Sequence, residues 1–176
     1  MNAREQTYNE QGACTKSRLW RFATQAYALP TVARSCLQAQ EAWGVDVNLT
    51  LYVCWCAREA RRVEAADISL AQDQCQPWRD QVILPLRAQR MAWRGQPQYA
   101  AQYTALKALE LEAERVQLDF LAGLFDQSAD SHPRASSVSY TALLAEHLAL
   151  LACHYGLDQD AFEDLWRALT VAQVRS

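Results

Sequence analysis

Residues 78–120, WRDQVILPLRAQRMAWRGQPQYAAQYTALKALELEAERVQLDF, decide the fold. Gly95-Gln96-Pro97 breaks the stretch into two arms that read as a helical hairpin. On the first arm Arg87, Arg90 and Arg94 recur at spacings of three and four, so they share one stripe of a helix. On the second, Lys107, Glu110 and Glu114 repeat that spacing. Helical projection places Leu86, Ile83, Leu84 and Met91 around the arginines, and Tyr103, Leu118 and Leu121 around the second set. Both sets are therefore expected to be half-buried. Solvent is left to Gln81 and Gln89 on one arm and to Glu112, Arg115 and Asp119 on the other.

Unpaired, each half-buried charge would cost several kcal/mol, roughly, so partners are required. One reading pairs Arg87, Arg90 and Arg94 with Glu110, Glu114 and Asp80 as an ion network that fixes the hairpin's register. The other leaves some arginines to receive a phosphate or carboxylate, in a gap opened by a kink at Pro85. The spacing alone does not choose between them.

Outward from the hairpin, the chain reads as helices throughout. Ser17 can cap a helix to Ala28, and Pro30-Thr31 opens a second that Gly44 ends after Trp43. Asp46 or Asn48 caps a third helix, to about Arg62, whose Leu49, Leu51, Tyr52, Val53, Cys54, Trp55 and Cys56 cover most of its circumference. A helix apolar on nearly all sides belongs at the centre of a bundle. Asp67 caps a short helix to about Cys75, and Pro77 begins the first hairpin arm, which ends near Trp93. Pro85 removes one backbone bond there and bends the arm. The second arm, Pro97 to about Phe125, carries Leu106, Leu109, Ala113, Val116 and Phe120 as its core stripe. A closing hairpin has helices near Ser139–Tyr155 and Asp158–Ala172, turned at Gly156, with Asp158, Asp160, Glu163 and Asp164 at the positive end of the last helix.

The expected architecture is all-α: an irregular bundle of about seven helices in a single domain, with no run that alternates as a strand. A polar segment covers residues 1–16, the bundle residues 17–176, and a polar internal linker residues 127–138. The chain has 176 residues, enough for one domain with a real core, and its 51% hydrophobic content with six Trp excludes a disordered chain. Five Gly and five Pro leave long helices uninterrupted.

Net charge is −3, too small to suggest nucleic acid as a partner. Residues 1–94 carry 12 basic and 9 acidic side chains against 5 and 11 in 95–176, which implies attraction between the halves. Met1 to Lys16 is polar, with Glu5 and Glu10, and lacks the apolar centre of a signal peptide. No apolar run approaches the roughly 20 residues that span a bilayer. No membrane association and cytoplasmic residence are the expectations.

Cys14, Cys36, Cys54, Cys56, Cys75 and Cys153 show no C-x-x-C and no ligand-spaced His, so neither a metal nor a disulfide is expected. Cys54 and Cys56 point about 200° apart on a helix and cannot clamp one metal. His147, on the Leu144-Leu148-Leu151 face, reads as a hydrogen-bonded core histidine. Asp126-x-x-x-Asp130 and Asp160-x-x-x-Asp164 match paired magnesium-binding acids only superficially; capping and solvation explain both. No glycine-rich phosphate loop, G-x-S-x-G or H-E-x-x-H is present, so no catalytic residue is named and no cofactor is expected.

Several segments occur in the order of a known family. They are Leu19-Trp20-Arg21-Phe22-Ala23, Tyr27, Val32, Cys36-Leu37-Gln38, and Gly44-Val45-Asp46-Val47-Asn48-Leu49 with Trp55. Further on come Trp78, Pro85-Leu86-Arg87, Arg90, and Glu110-Leu111-Glu112-Ala113-Glu114. Over about residues 17–121 the chain resembles an uncharacterised family of short proteobacterial proteins, a domain of unknown function. The resemblance implies a bacterial, cytoplasmic, helical protein and carries no activity, cofactor or catalytic residue. Two functional classes follow. One is a non-enzymatic module that binds another bacterial protein; the other is a ligand-binding or enzymatic bundle that holds a small anionic group with Arg87, Arg90 and Arg94.

Overall fold

The computed structural model describes residues 17–127 and 138–173. The polar segment 1–16, Cys14, and nearly all of the linker 127–138 lie outside the described residues. The described residues form eight α-helices: α1 (Arg18–Tyr27), α2 (Pro30–Trp43), α3 (Val47–Arg58), α4 (Ala65–Trp78), α5 (Leu84–Ala92), α6 (Ala100–Gln127), α7 (Tyr140–His154) and α8 (Glu163–Gln173). A π-helical turn, Arg79–Ile83, joins α4 to α5 without a break, so the eight helices make seven rods. A 3₁₀ turn, Pro97–Tyr99, leads into α6, and no strand occurs among the described residues. The fold is the all-α bundle that periodicity predicts.

Several boundaries follow from single side chains. Ser17 accepts from the Trp20 amide at 3.1 Å and starts α1. Gly44, at φ 67°, takes the left-handed conformation that ends α2. Asp46, not Asn48, caps α3, accepting from the Asn48 and Leu49 amides at 2.8 and 3.4 Å.

Others differ from expectation. α3 stops at Arg58 rather than near Arg62, because the chain turns through Ala60 at φ 55°, where a helix cannot continue. Asp67 is not the cap of the next helix. It sits inside the first turn and accepts from the Glu64 amide at 2.7 Å, while Glu64 takes the cap position. Nor does Pro77 start a new helix: it lies within α4, and the rod runs on from Ala65 to Ala92. The ladder widens just before Pro85, where the Leu84 amide reaches the Arg79 carbonyl, five residues back. α8 begins at Glu163, so Asp158 and Asp160 precede it in turns, leaving Glu163 and Asp164 in the first turn.

The core surrounds α3, in which Asn48 through Ala57 are all buried. α7 packs most extensively against it, with α1, α2, α4 and α6 completing the shell. Leu49, Val53 and Cys54 meet Leu143, Leu144 and Leu151 in a cluster at 0–1% exposure. Arg61, also buried, donates to the Phe125 carbonyl and lies 3.6 Å from the centre of that ring, tying the end of the α3 turn to α6.

The greatest departure is in α6. The stripe Leu106, Leu109, Ala113, Val116 and Phe120 is not its core face. Leu109 is 56% and Phe120 51% exposed, and only Ala113 of the five is buried. The buried face is instead Glu110, Ala113, Gln117, Leu118, Leu121 and Phe125. Its polar members turn inward because each meets a polar group on a neighbouring helix.

Candidate functional site

α4, the π turn and α5 run antiparallel to α6. Near one end of the pair the Trp78 indole donates to the Ala113 carbonyl at 2.9 Å. At the other Trp93 stacks on Tyr99, 5.2 Å between ring centres. Between these anchors lies the ionic seam. Arg87 uses all three edges of its guanidinium: Nε donates to Glu110 Oε1 at 2.7 Å, Nη2 to Glu114 Oε1 at 2.5 Å, and Nη1 to Gln40 Oε1 on α2 at 2.7 Å. Arg90 forks onto both oxygens of Glu110, through Nε and, at 3.1 Å, through Nη2. Glu110 is 5% exposed. Burial alone would raise its pKa, but the hydrogen bonds and charges of Arg90 and Arg87 outweigh that and hold its carboxyl below the usual 4.5. The same contact raises Arg90, and the Tyr103 hydroxyl adds to it.

Glu114 lies one turn away in a different environment. Burial raises its pKa above 4.5, reinforced by the Glu110 and Asp46 charges and opposed by Arg87. One carboxyl is thus held firmly ionised and its neighbour is more readily protonated.

Of the sequence-predicted charged residues, the structure brings Arg87, Arg90, Glu110 and Glu114 together. Three others fall elsewhere. Asp80 accepts from Gln76 Nε2 at 2.8 and 2.9 Å and sits 3.9 Å from Arg79, about two turns of helix before the seam. Arg94 is exposed where α5 has already ended and forms no ion pair among the described residues. Lys107 is exposed rather than half-buried, and forms no ion pair among the described residues.

The seam continues into a polar network that sequence reading missed. Gln117 donates to Asp46 at 2.6 Å and accepts from Asn48 Nδ2 at 2.8 Å. Arg79 adds its Nε at 3.6 Å from Asp46 and donates to the Gly44 carbonyl at 3.1 Å. The signal was present: Gln117 follows Glu110 and Glu114 at the same three–four spacing. Asp46 and Asn48 were read as caps, which spoke for their backbone role and not for what their outer atoms reach.

Above the seam opens a cavity of about 530 Å³ between α1, α2, the start of α3 and α6. Its walls are mainly apolar, including Trp20, Leu37, Leu51, Leu111 and Leu118. Tyr27, Gln40, Arg87, Arg90, Lys107, Glu110 and Glu114 line the polar side. This volume lies within the range of small-ligand sites.

Away from the cavity, His147 is fully buried. Its Nε2 accepts from the Val63 amide at 3.1 Å, so Nδ1 carries the proton toward the Val53 carbonyl at 2.9 Å. It is a neutral core histidine with both nitrogens satisfied. Cys36, Cys54, Cys56 and Cys75 are buried and free. Burial pushes the thiols of Cys36, Cys56 and Cys75 up to about 12, far from nucleophilic at neutral pH. No His, Cys, Asp and Glu group suited to a metal occurs among the described residues. No helix among them is long and apolar enough to cross a membrane.

No curated protein and no solved structure matches the chain. Residues 18–121, more than half of it, match the family described as protein of unknown function (DUF2390), and the chain belongs to that family.

Proposed function

We propose that this chain is a non-enzymatic module that docks another protein, through the outward edge of α6. One observation carries the reading. Leu106, Leu109, Val116 and Phe120 repeat at helical spacing, yet Leu109 and Phe120 remain about half exposed, at 56% and 51%. The stripe is covered at Ala113, partly covered at Leu106 and Val116, and Phe120 meets Trp78 edge-on, but apolar side chains left half bare in line on one side of a helix fit a partner surface. From Leu106 to Phe120 it runs roughly 21 Å at 1.5 Å per residue, the length of about four helical turns. The occupant that fits is an amphipathic helix of a partner protein, with anchors at three–four spacing.

The seam supports this reading indirectly. An anion held by Arg87, Arg90 and Arg94 would need uncommitted guanidinium edges, but Arg87 is fully occupied and Arg94 does not line the cavity. In this reading Arg87, Arg90, Glu110 and Glu114 fix the register of the two arms, and α6 presents its stripe as a rigid edge.

The test places a photo-crosslinking phenylalanine analogue at position 109 in the full chain, in its native host. Expected is one discrete, stoichiometric adduct with another protein, abolished by Phe120→Glu at unchanged melting temperature. A dimer of this chain as the adduct, no discrete adduct, or one indifferent to Phe120→Glu overturns the reading.

A further inference from the structure

The cavity above the ionic seam faces a different side of α6 from the docking stripe and poses a separate question. Its floor is already neutralised. Arg87 and Arg90 spend their charge on Glu110 and Glu114, at 2.5–3.1 Å where the contacts are of ordinary length. Lys107 stands apart. It lines the cavity, forms no ion pair among the described residues, and shares a helical face with Glu110, Leu111, Glu114 and Leu118 through spacings of three, four, seven and eleven. Three cations thus face two carboxylates, leaving one positive charge beside apolar walls. Tyr27 and Gln40, the latter with its two amide N–H groups uncommitted when its oxygen accepts from Arg87, line the same polar side as donors.

From this arrangement we infer that the cavity binds an amphipathic monocarboxylate: an acyl or aryl body between Trp20, Leu37, Leu51 and Leu111, with its carboxylate on Lys107. Each competing class meets an obstacle. A cation would be repelled by the surplus positive charge. A phosphate or dicarboxylate would bring a second negative charge against Glu114 and Glu110, with Arg87 already fully used and only Arg90 Nη1, which meets no more than the Met91 sulfur at 3.5 Å, to balance it. A wholly apolar molecule would leave Lys107 unused. One anionic head on an apolar body satisfies both the walls and the free ammonium.

Calorimetric titration of the full chain tests this with decanoate and 4-phenylbutyrate as probes, below their aggregation concentrations. Decanol and decyltrimethylammonium serve as neutral and cationic counterparts. At least one acid should bind one molecule per chain, about five- to tenfold more tightly than decanol, the size of a single ordinary hydrogen bond, as befits an exposed ammonium. The cationic probe should bind more weakly than either. Lys107→Met should erase the preference for the acid while leaving affinity for decanol, and Leu111→Trp should weaken every probe by narrowing the cavity. Both positions are exposed, so the fold tolerates them, which an unchanged melting temperature verifies. No saturable binding of either acid, equal affinity for acid and alcohol, or a preference that survives Lys107→Met overturns the inference. None of these results touches the crosslink at position 109, so the two proposals fail separately.

Discussion

The surroundings of α3 and the seam between α5 and α6 hold the bundle together by opposite means. Around α3 most contacts are dry: Leu49, Val53, Leu143, Leu144 and Leu151 are at 0–1% exposure, and the polar groups buried there are paired, His147 through both ring nitrogens, Thr50 to the Asp46 carbonyl and Asn48 to Gln117. In the seam Glu110 is nearly as buried, at 5%, but its neighbours Arg87 and Arg90 keep about one-fifth of their side-chain surface in water. The first region gains from every methylene removed from water. The second gains little net energy from its charges and much specificity, because any other register would strand a buried carboxylate. Apolar packing makes the bundle stable; the seam determines how its two longest rods align.

Two truncations measure that difference. Leu49→Ala should cost about 2–5 kcal/mol, the lost transfer energy plus a cavity that packed neighbours on all sides cannot fill. Glu110→Ala should cost about 2–4 kcal/mol, since both guanidiniums then lose their shared carboxylate. Chemical denaturation reads both. The contrast sharpens with Glu110→Leu in an Arg87→Leu, Arg90→Met, Glu114→Gln background, which removes all four charges and should recover most of the loss. For Leu49→Ala no polar rearrangement compensates. A Glu110→Ala cost under about 0.5 kcal/mol would place the seam among surface pairs and dissolve the distinction.

Period and punctuation made most of the bundle legible. α3 declared itself by apolar residues on every side, and Ser17, Gly44 and Gly156 marked turns that their side chains, or lack of them, impose. The charged residues at three–four spacing pointed to the seam, and four of those six meet there. What the pattern hid was orientation. On α6 the stripe of Leu106, Leu109, Val116 and Phe120 and the stripe of Glu110, Glu114 and Gln117 both keep helical spacing, and hydrophobicity alone turns the wrong one inward. The fold chose the polar stripe because Arg87 and Arg90 of α5, and Asp46 and Asn48 at the start of α3, wait opposite it. Complementarity between distant segments is not written in the periodicity of either. The rod from Ala65 to Ala92 misled for a local reason: Pro77 and Pro85 look like breaks, yet a long helix tolerates each lost amide when packing holds it.

Acid should dismantle the two regions in separate windows. Burial lowers the His147 pKa below 6.5, with the Val53 carbonyl and Glu146 opposing and Arg62 assisting. A base depressed in the folded state binds fewer protons there than when unfolded. Its contribution is therefore complete above pH 6.5 and is lost as pH falls from 6.5 toward the folded value. Glu110 is a carboxyl lowered from 4.5, so its contribution holds above 4.5 and is lost below it, while Glu114, raised from 4.5, works in the opposite sense and returns stability above 4.5, as pH falls from its raised value, which is why the comparison with His147→Gln is needed. Denaturation at pH 7.5, 6 and 5 should show a fall in stability that is missing in His147→Gln, which starts from lower stability. Stability that stays level or climbs across that interval would mean that His147 titrates normally and that the core around α3 is wetter than described.

The smallest effect separates the two regions from the rest of the surface. Arg94 belongs to the arginine stripe by sequence, one turn beyond Arg90 and two beyond Arg87. The stripe exists only while the helix does, however, and α5 ends at Ala92, with Trp93 at its cap and Gly95 at φ 76°. Past that point the three–four rule no longer aims a side chain at α6, and Arg94 lies exposed with no ion pair among the described residues. Arg94→Ala should therefore shift stability by less than about 0.5 kcal/mol, the usual range for a surface change that leaves no charge stranded. Arg87→Ala, which strips Glu110 and Glu114 of a shared partner and releases Gln40, should cost several times more. Melting curves of the two variants side by side decide it. Equal losses would mean that the helix carries on through Trp93 and that Arg94 joins the seam, lengthening the ionic region by a full turn.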